Sequence, residues 1–462
     1  MRRCALLLLS GVPLLLTPAG HAQRPTSTAD EWLARLDTQG AERAVREAMK
    51  QGPRMSVQLA RIAVHRGQPK VALRLLEGAG GEAASGEGRE LRAIALGLVR
   101  ATEGAVERST EDGALRVQFQ HPSDVVLLPW IAETIAAARR VTGEAMGHPW
   151  DTPTYLVLVR DQQTLAEATG LPYESARTTG TLAIAKWGRV TMLSPRATEG
   201  GFPWRDTLVH ELAHLTLTAV TADRAPLWLQ EGMAKDLETR WRAREPFDEV
   251  PAPESVVLEA DAKGELLSLD RLGPSVAMLP SAKAAGVAFA AATSFVRHLR
   301  GELGPERWST YLHALATSRA DDVLLETTGK SFTAWQGAWL ATLRRQPRGK
   351  DATAASEADV DRDVPRRMRL GRLLVERGHG DAALAELGRL AEPARRRVDH
   401  DGGWYTLHAL AHERRRDAGA LDALLFGPAP VSDARGAWYR LRAQRDDVRN
   451  DRIQGGIDRE KP

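Results

Sequence analysis

Two histidines one helical turn apart, followed at a distance by a glutamate, constrain this chain more than any other feature. The stretch 206–217 reads DTLVHELAHLTL, which places His210 and His214 four residues apart. On a helix this spacing projects both imidazoles from one face, within reach of a single metal ion. Glu231 follows seventeen residues after His214, and Pro226 between them is typical of a first helical turn. The pattern therefore predicts two antiparallel helices that return a carboxylate to the two histidines.

Glu211 adds a chemical function to this pattern. It directly follows His210, where its carboxylate can accept a proton from a water molecule held at a metal. In a chain with 12 histidines, chance produces His-Glu-x-x-His with a probability on the order of a few per cent, so the five residues alone only suggest a site. Whether the motif is a catalytic zinc site depends on a third ligand in the surrounding sequence, because catalytic zinc takes three protein ligands and keeps a fourth position open. Glu231 is the candidate for the third ligand.

The two-helix layout resembles the gluzincin metallopeptidases, and closely the peptidase MA-like family, in which His-Glu-x-x-His is followed by Trp-Leu-x-Glu-Gly-x-Ala. Residues 228–234 of this chain read WLQEGMA. The resemblance covers about Leu115 to Leu343, half of the chain. It implies a thermolysin-like zinc metallopeptidase, a hydrolase of peptide bonds. It also implies that the zinc ligands are His210, His214 and Glu231, with Glu211 as the general base.

Two further expectations follow from the resemblance. The strand before the motif helix, Val190–Leu193, would be an edge strand that aligns an extended peptide by backbone pairing. Relatives often carry a tyrosine where this chain has Phe289, and a phenyl ring donates no hydrogen bond to an oxyanion. Loss of one such donor typically costs about 10²–10³ in rate, unless another donor such as Tyr311, His298 or His313 replaces it.

The spacing of apolar residues along the sequence divides the chain into regions. Strand-like alternation begins at Leu115, and helical spacing dominates from Trp204 onward, which predicts an α+β fold class for the central domain. Both ends are helical, with a glycine five residues before a small alanine at 67–72 and again at 378–383, as in stacked helix hairpins. A plain helical flank packed on the central domain is the alternative. The predicted order is a signal peptide (1–22), a helical tetratricopeptide-like region (23–105), a gluzincin metallopeptidase domain (113–345), a linker (346–363), a second helical tetratricopeptide-like region (364–449) and a disordered tail (450–462).

The N-terminus has the composition of a cleaved export signal. Arg2 and Arg3 precede an apolar run, Ala5–Leu16, and Gly20-His21-Ala22 fits the cleavage site. The run is well short of the ~20 residues that span a bilayer, which favours a cleaved signal over an N-terminal membrane anchor. The expected location is periplasmic or secreted. Cys4 is the only cysteine, so the mature chain has no disulfide, cysteine nucleophile or cysteine-ligated metal.

Charge and composition limit the partners. The formal net charge is only +3, from 63 basic and 60 acidic residues, and the two signs are mixed along most of the chain, which argues against a nucleic-acid binder. No stretch of the mature chain has transmembrane length. We therefore expect an exported zinc metallopeptidase acting on a peptide or protein substrate. The alternative is a periplasmic scaffold with an impaired peptidase-like domain, whose helical flanks bind partner proteins.

Overall fold

The structure is a computed structural model in which two compact units are distinguished. The first comprises Met1–Ser194, Arg205–Arg244 and Asp248–Pro347, and the second comprises Pro195–Trp204, Glu245–Phe247 and Arg348–Pro462. The predicted signal peptide, linker and tail lie outside the described residues. The structure describes residues 28–50, 55–150, 152–198, 202–243, 251–273, 275–276, 279, 281–345, 367–390, 403–426, 441–442 and 445.

Five α-helices come first among the described residues of the first unit. They are α1 (Thr28–Ala34), α2 (Thr38–Met49), α3 (Ser56–His65), α4 (Pro69–Glu77) and α5 (Gly86–Thr102). Gly67 reverses the chain between α3 and α4 with φ at 69°, a left-handed conformation that glycine adopts at little cost. The small Ala72 is fully buried. The helical character predicted for this region is present, and its relation to tetratricopeptide repeats stays a prediction.

A five-stranded mixed sheet follows, in the spatial order β1-β2-β3-β5-β4. Strand β2 pairs with β3 and β3 with β5 in parallel, whereas β1 and β4 are antiparallel to their neighbours. The predicted strands are present, β1 is an additional one, and a sheet among many helices agrees with the predicted α+β class. The bounds are β1 (Val106–Ser109), β2 (Leu115–Phe119), β3 (Thr154–Val159), β4 (Ala183–Lys186) and β5 (Arg189–Leu193).

The expectation that Val190–Leu193 is an edge strand was wrong. Strand β5 contains these residues and is hydrogen-bonded on both sides, to β3 and to β4. The short turn after Lys186 folds the chain back, so β4 occupies the edge. All five residues of β5 are buried, which agrees with a strand that has a neighbour on each side.

The remaining α-helices among the described residues of the first unit contribute to one extensive hydrophobic core, apart from the two between β3 and β4, which pack in a smaller cluster with Ile184. They are α6 (Leu128–Met146), α7 (Gln162–Thr169), α8 (Tyr173–Thr179), α9 (Trp204–Thr221), α10 (Leu227–Leu237), α11 (Pro253–Ala262), α12 (Ala282–Ala314), α13 (Ala320–Thr328) and α14 (Phe332–Arg345). Helix α12 kinks at Gly304, where φ is 71°. Phe295 of α12 lies at the centre of the core, against Trp228 of α10 and Trp339 of α14.

Helices α10 and α12 approach each other closely at Gly232. A Cβ added at this residue would lie 2.5 Å from the backbone oxygen of Ala292 and 2.6 Å from a methyl group of Val296. Only glycine therefore permits this separation of the two helices. The neighbouring residue on α10 is Glu231, so the same contact fixes the position of that side chain.

The second unit contains further helices among its described residues. They span 367–376, Gly380–Gly388, Trp404–Arg414 and Ala418–Phe426. Gly378 has φ at 81°, and Ala383 is fully buried, as the glycine-alanine spacing predicts for a helix hairpin. In the described parts of both units, no helix combines the length and the apolar character needed to cross a bilayer.

Replacement of Gly232 by alanine tests the close approach of α10 and α12. We expect Gly232→Ala to lower the free energy of unfolding by about 1–3 kcal/mol, because an overpacked interface must separate. Gly337→Ala is the matched control, since Gly337 is exposed on α14 with no atom within 4 Å of the added Cβ. This control should gain up to about 1 kcal/mol from helix propensity. Equal denaturant midpoints for the two variants would contradict the close approach.

Candidate metal centre

Helices α9 and α10 bring together the three side chains that the sequence marks as ligands. The Nε2 atoms of His210 and His214 are 3.2 Å apart. One carboxylate oxygen of Glu231 lies 3.7 Å from Nε2 of His210 and 3.8 Å from Nε2 of His214. Among the described residues, these three form the one group of histidine, cysteine and acidic side chains arranged to hold a metal ion.

These separations fit a single bound cation. Zinc binds nitrogen at about 2.0–2.1 Å, so a tetrahedral arrangement separates two ligand nitrogens by about 3.3 Å. The separation of the two histidine nitrogens agrees with this value. The distance from the Glu231 oxygen to each nitrogen exceeds this value by about 0.4–0.5 Å. Two imidazoles and one carboxylate suit several first-row divalent ions, so the donor set defines a metal class and not one element.

Burial makes a cation at this position favourable. The exposed fraction is 2% for each histidine and 0% for Glu211 and Glu231. Neither oxygen of either glutamate has a hydrogen-bond partner. Two buried carboxylates without donors are costly to keep ionised. A divalent cation held by His210, His214 and Glu231 would offset that cost.

Glu238 belongs to the site but was missed by the sequence analysis. Its carboxylate accepts a hydrogen bond from Nδ1 of His210 over 3.1 Å and another from Nζ of Lys235 over 2.6 Å. A carboxylate on the far nitrogen of a metal-binding histidine orients the ring and makes it a better ligand. Glu238 lies seven residues, two helical turns, after Glu231. This spacing, which places Glu238 on the same helical face as Glu231, could have indicated its role from the sequence.

The carboxylates around His210 determine where protons reside. Burial lowers the pKa of His210, but Glu231 and Glu238 outweigh it and raise this pKa to about 9. Burial raises the pKa of Glu238, but Lys235 and His210 outweigh it and hold it below its ordinary value. Burial also raises the pKa of Glu231. The metal-free chain therefore holds a proton on His210 between two acids, and a metal ion that binds there displaces it.

Glu211 has the environment of a proton acceptor. Burial, with the negative charge of Glu231, raises the pKa of its carboxyl group to about 7, and the positive charge of His210 and the backbone of Ala185 in β4 partly oppose this shift. A base with a pKa near the working pH is the most effective in general catalysis. The contact with Ala185 also shows that the sheet edge formed by β4 lies beside Glu211.

Phe289 and the three residues that the family resemblance suggests as oxyanion donors each have described surroundings of their own. Phe289 is 5% exposed and belongs to the core of the first unit. Tyr311 is fully buried beside Trp308, and His313 is exposed and hydrogen-bonds the backbone oxygen of Ser309.

The third suggested donor, His298, packs edge-on against Trp335. None of the contacts described for Tyr311, His298 and His313 involves the four residues of the metal centre.

Comparisons with known proteins provide no further assignment. No protein-family model matches the chain, no curated protein matches it, and no solved structure matches it.

Glu238→Ala tests the supporting role of this carboxylate. We expect metal affinity to fall by about 10–100-fold, because His210 loses the acceptor that orients its ring. Glu238→Gln should recover part of the loss, since an amide oxygen still accepts from Nδ1. The measurement is competition with a chelator of known affinity. Glu259→Ala is the control, as Glu259 is exposed on α11 and pairs with Lys263. Equal affinities in all variants would exclude this role.

Proposed function

We propose that the chain is a zinc metallopeptidase of the gluzincin type. The observation that carries the proposal is the convergence of His210, His214 and Glu231, with Glu211 one residue from the first ligand. Support comes from the buried and unpartnered carboxylates of both glutamates. Their donor set fits a divalent metal.

In this proposal each residue has one task. His210, His214 and Glu231 hold zinc, and Glu238 orients His210. Bound zinc supplies Lewis acidity, which acidifies water and polarises a carbonyl group. Glu211 accepts a proton from the attacking water as its oxygen bonds to the peptide carbon. Glu211 then delivers that proton to the leaving amine as the carbon–nitrogen bond breaks.

The peptide substrate would align along β4. This strand forms the edge of the sheet and its Ala185 lies beside Glu211, so an extended peptide pairing with β4 would pass the general base. Ala183, Ile184 and Ala185 are 1–8% exposed.

The wider organisation is part of the same proposal. A gluzincin catalytic domain would lie between two helical, repeat-like regions, whose concave surfaces suit extended peptides or partner proteins. The N-terminal sequence favours export by a cleaved signal peptide, so the enzyme would act in the periplasm or outside the cell.

One observation favours the second candidate, a catalytically impaired scaffold with helical flanks that bind partner proteins. Phe289 stands where relatives often have a tyrosine, and it is buried in the core. The residues of the metal centre are only 0–2% exposed. A scaffold would retain the metal and lack turnover, which the following experiment distinguishes.

Glu211→Gln separates metal binding from catalysis. We expect the variant to retain about one zinc per chain, because Glu211 is not a ligand, and to lose about 10²–10⁴ in rate. Zinc content by mass spectrometry and cleavage of an unfolded protein and a mixed peptide library are the two measurements. Glu144→Gln is the control, as Glu144 is exposed on α6, and it should leave both properties unchanged.

Three outcomes lead to different conclusions. Zinc in both proteins with cleavage by the wild type alone supports the peptidase and the role of Glu211. Zinc in both with cleavage by neither supports the scaffold. Absence of zinc from the purified wild type, even after it is supplied, would remove the metal assignment.

A further inference from the structure

The two histidines of the metal centre differ on the side of the ring that faces away from the metal position. Nδ1 of His210 donates to the carboxylate of Glu238 over 3.1 Å. Nδ1 of His214 is also buried, but it has no partner of hydrogen-bond length and angle. An imidazole that binds a metal through Nε2 carries its proton on Nδ1, and a buried N–H without an acceptor costs free energy. A metal-loaded centre therefore requires an acceptor beside His214.

Gln230 contacts the ring of His214 from α10. This side chain is 5% exposed and directly precedes Glu231. Burial and the positive charge of His210 lower the pKa of His214 well below its ordinary value, and the side chain of Gln230 opposes this shift, as a hydrogen-bond acceptor does. Nε2 of His214 already faces His210 at 3.2 Å and Glu231 at 3.8 Å. Nδ1 is therefore the ring nitrogen that remains for Gln230.

The orientation of the Gln230 amide is fixed by the chain that precedes α10. Its Nε2 atom donates to the backbone oxygen of Ala225 over 3.2 Å. Because a carbonyl oxygen only accepts, this partner identifies which end of the amide is the nitrogen. The accepting end, Oε1, is thus the one left for His214.

We propose that Gln230 is a positioning residue of the metal centre, whose Oε1 accepts from Nδ1 of His214 and directs Nε2 of that ring toward the metal. The inference rests on the metal site of the proposed function and adds one residue to it. Gln230 near the start of α10 and Glu238 at its C-cap would then orient one histidine each. A single helix would supply a ligand and the acceptors for both imidazoles.

The two acceptors differ in charge, and this difference has a chemical consequence. A carboxylate on the far nitrogen makes an imidazole a better ligand, whereas the amide of Gln230 is neutral. It therefore adds no negative charge to a centre that already contains Glu211, Glu231 and Glu238. A bound metal keeps more of its Lewis acidity when its surroundings donate less charge. We expect His214 to be the weaker ligand of the two histidines.

Zinc affinity, measured by competition with a chelator of known affinity, separates the two ends of the Gln230 amide. Gln230→Met removes both the donor and the acceptor, so the affinity should fall about tenfold or more. Gln230→Glu removes the donor to Ala225 and keeps an acceptor for His214, so its affinity should equal or exceed that of the wild type. Gln163→Met is the matched control, since Gln163 is exposed on α7 and hydrogen-bonds Glu167, and it should bind zinc as the wild type does.

Replacement of zinc by Co²⁺ gives a readout that is independent of catalysis and of folding stability. Paramagnetic cobalt shifts the Nδ1–H signals of the histidines that bind it in the proton magnetic resonance spectrum. We expect two such exchangeable signals in the wild type, one from His210 and one from His214. Gln230→Met should move one of them and speed its exchange with water, and Glu238→Gln should change the other. Gln163→Met should change neither.

Two results would overturn this inference and leave the metal site intact. Equal losses of affinity in Gln230→Met and Gln230→Glu would mean that Gln230 only anchors the backbone at Ala225. Wild-type affinity with unchanged cobalt-shifted signals in Gln230→Met would exclude a role at His214. A wild-type chain that binds neither zinc nor cobalt would instead reject the metal site of the proposed function, and this inference with it.

A crystal structure of the zinc-loaded wild type decides if the Gln230 variants do not fold. Oε1 of Gln230 should then lie about 2.7–3.2 Å from Nδ1 of His214. A water molecule or another side chain as the acceptor of Nδ1 would reject the proposal.

Discussion

The packing of α10 against α12 is the constraint on which the candidate site depends. Gly232 allows the two helices to touch at backbone distance. One turn later the buried carboxylate of Asp236 forms ion pairs with Arg297 over 2.7 Å and Arg300 over 3.0 Å, both on α12. The steric contact at Gly232 and the ion pairs of Asp236 thus hold α10 against α12. Glu231 directly precedes Gly232 on the same helix. Its distance from the two histidines is therefore set by a neighbour outside the site.

The acidic residues of α10 differ in whether a positively charged side chain neutralises them. Three acids lie within eight residues of α10 and its C-cap: Glu231 and Asp236 are buried, Glu238 is half-buried, and each has different partners. Asp236 is paired with arginines, and Glu238 is paired with Lys235 and His210. Glu231 faces the two histidine nitrogens at 3.7 and 3.8 Å and makes no closer hydrogen bond, which leaves room for a cation between the three side chains. The buried Arg189 of β5 shows an imbalance of the opposite sign, because its Nε and Nη2 atoms have no hydrogen-bond partner.

Local patterns predicted the elements of the fold well. The alternation at Leu115, Val117 and Phe119 is β2, and α9 begins at Trp204 as the motif helix requires. Strand β1 gave no such signal, because V-E-R-S has no apolar alternation and is mostly exposed. Its pairing with β2 supplies the hydrogen bonds that its side chains do not predict. The order of the strands was also beyond local patterns, since a hairpin after Lys186 places β4 outside β5.

The sequence by itself determined which side chains can meet. A four-residue spacing puts His210 and His214 on one helical face, and a turn before Pro226 returns Glu231 to them, because helix geometry repeats every 3.6 residues. Only the tertiary structure decided what surrounds them. Burial of the glutamates, the acceptor role of Glu238 and the unpaired charge of Arg189 depend on residues distant in the chain. No local pattern encodes them, because burial and charge pairing are properties of packed neighbours.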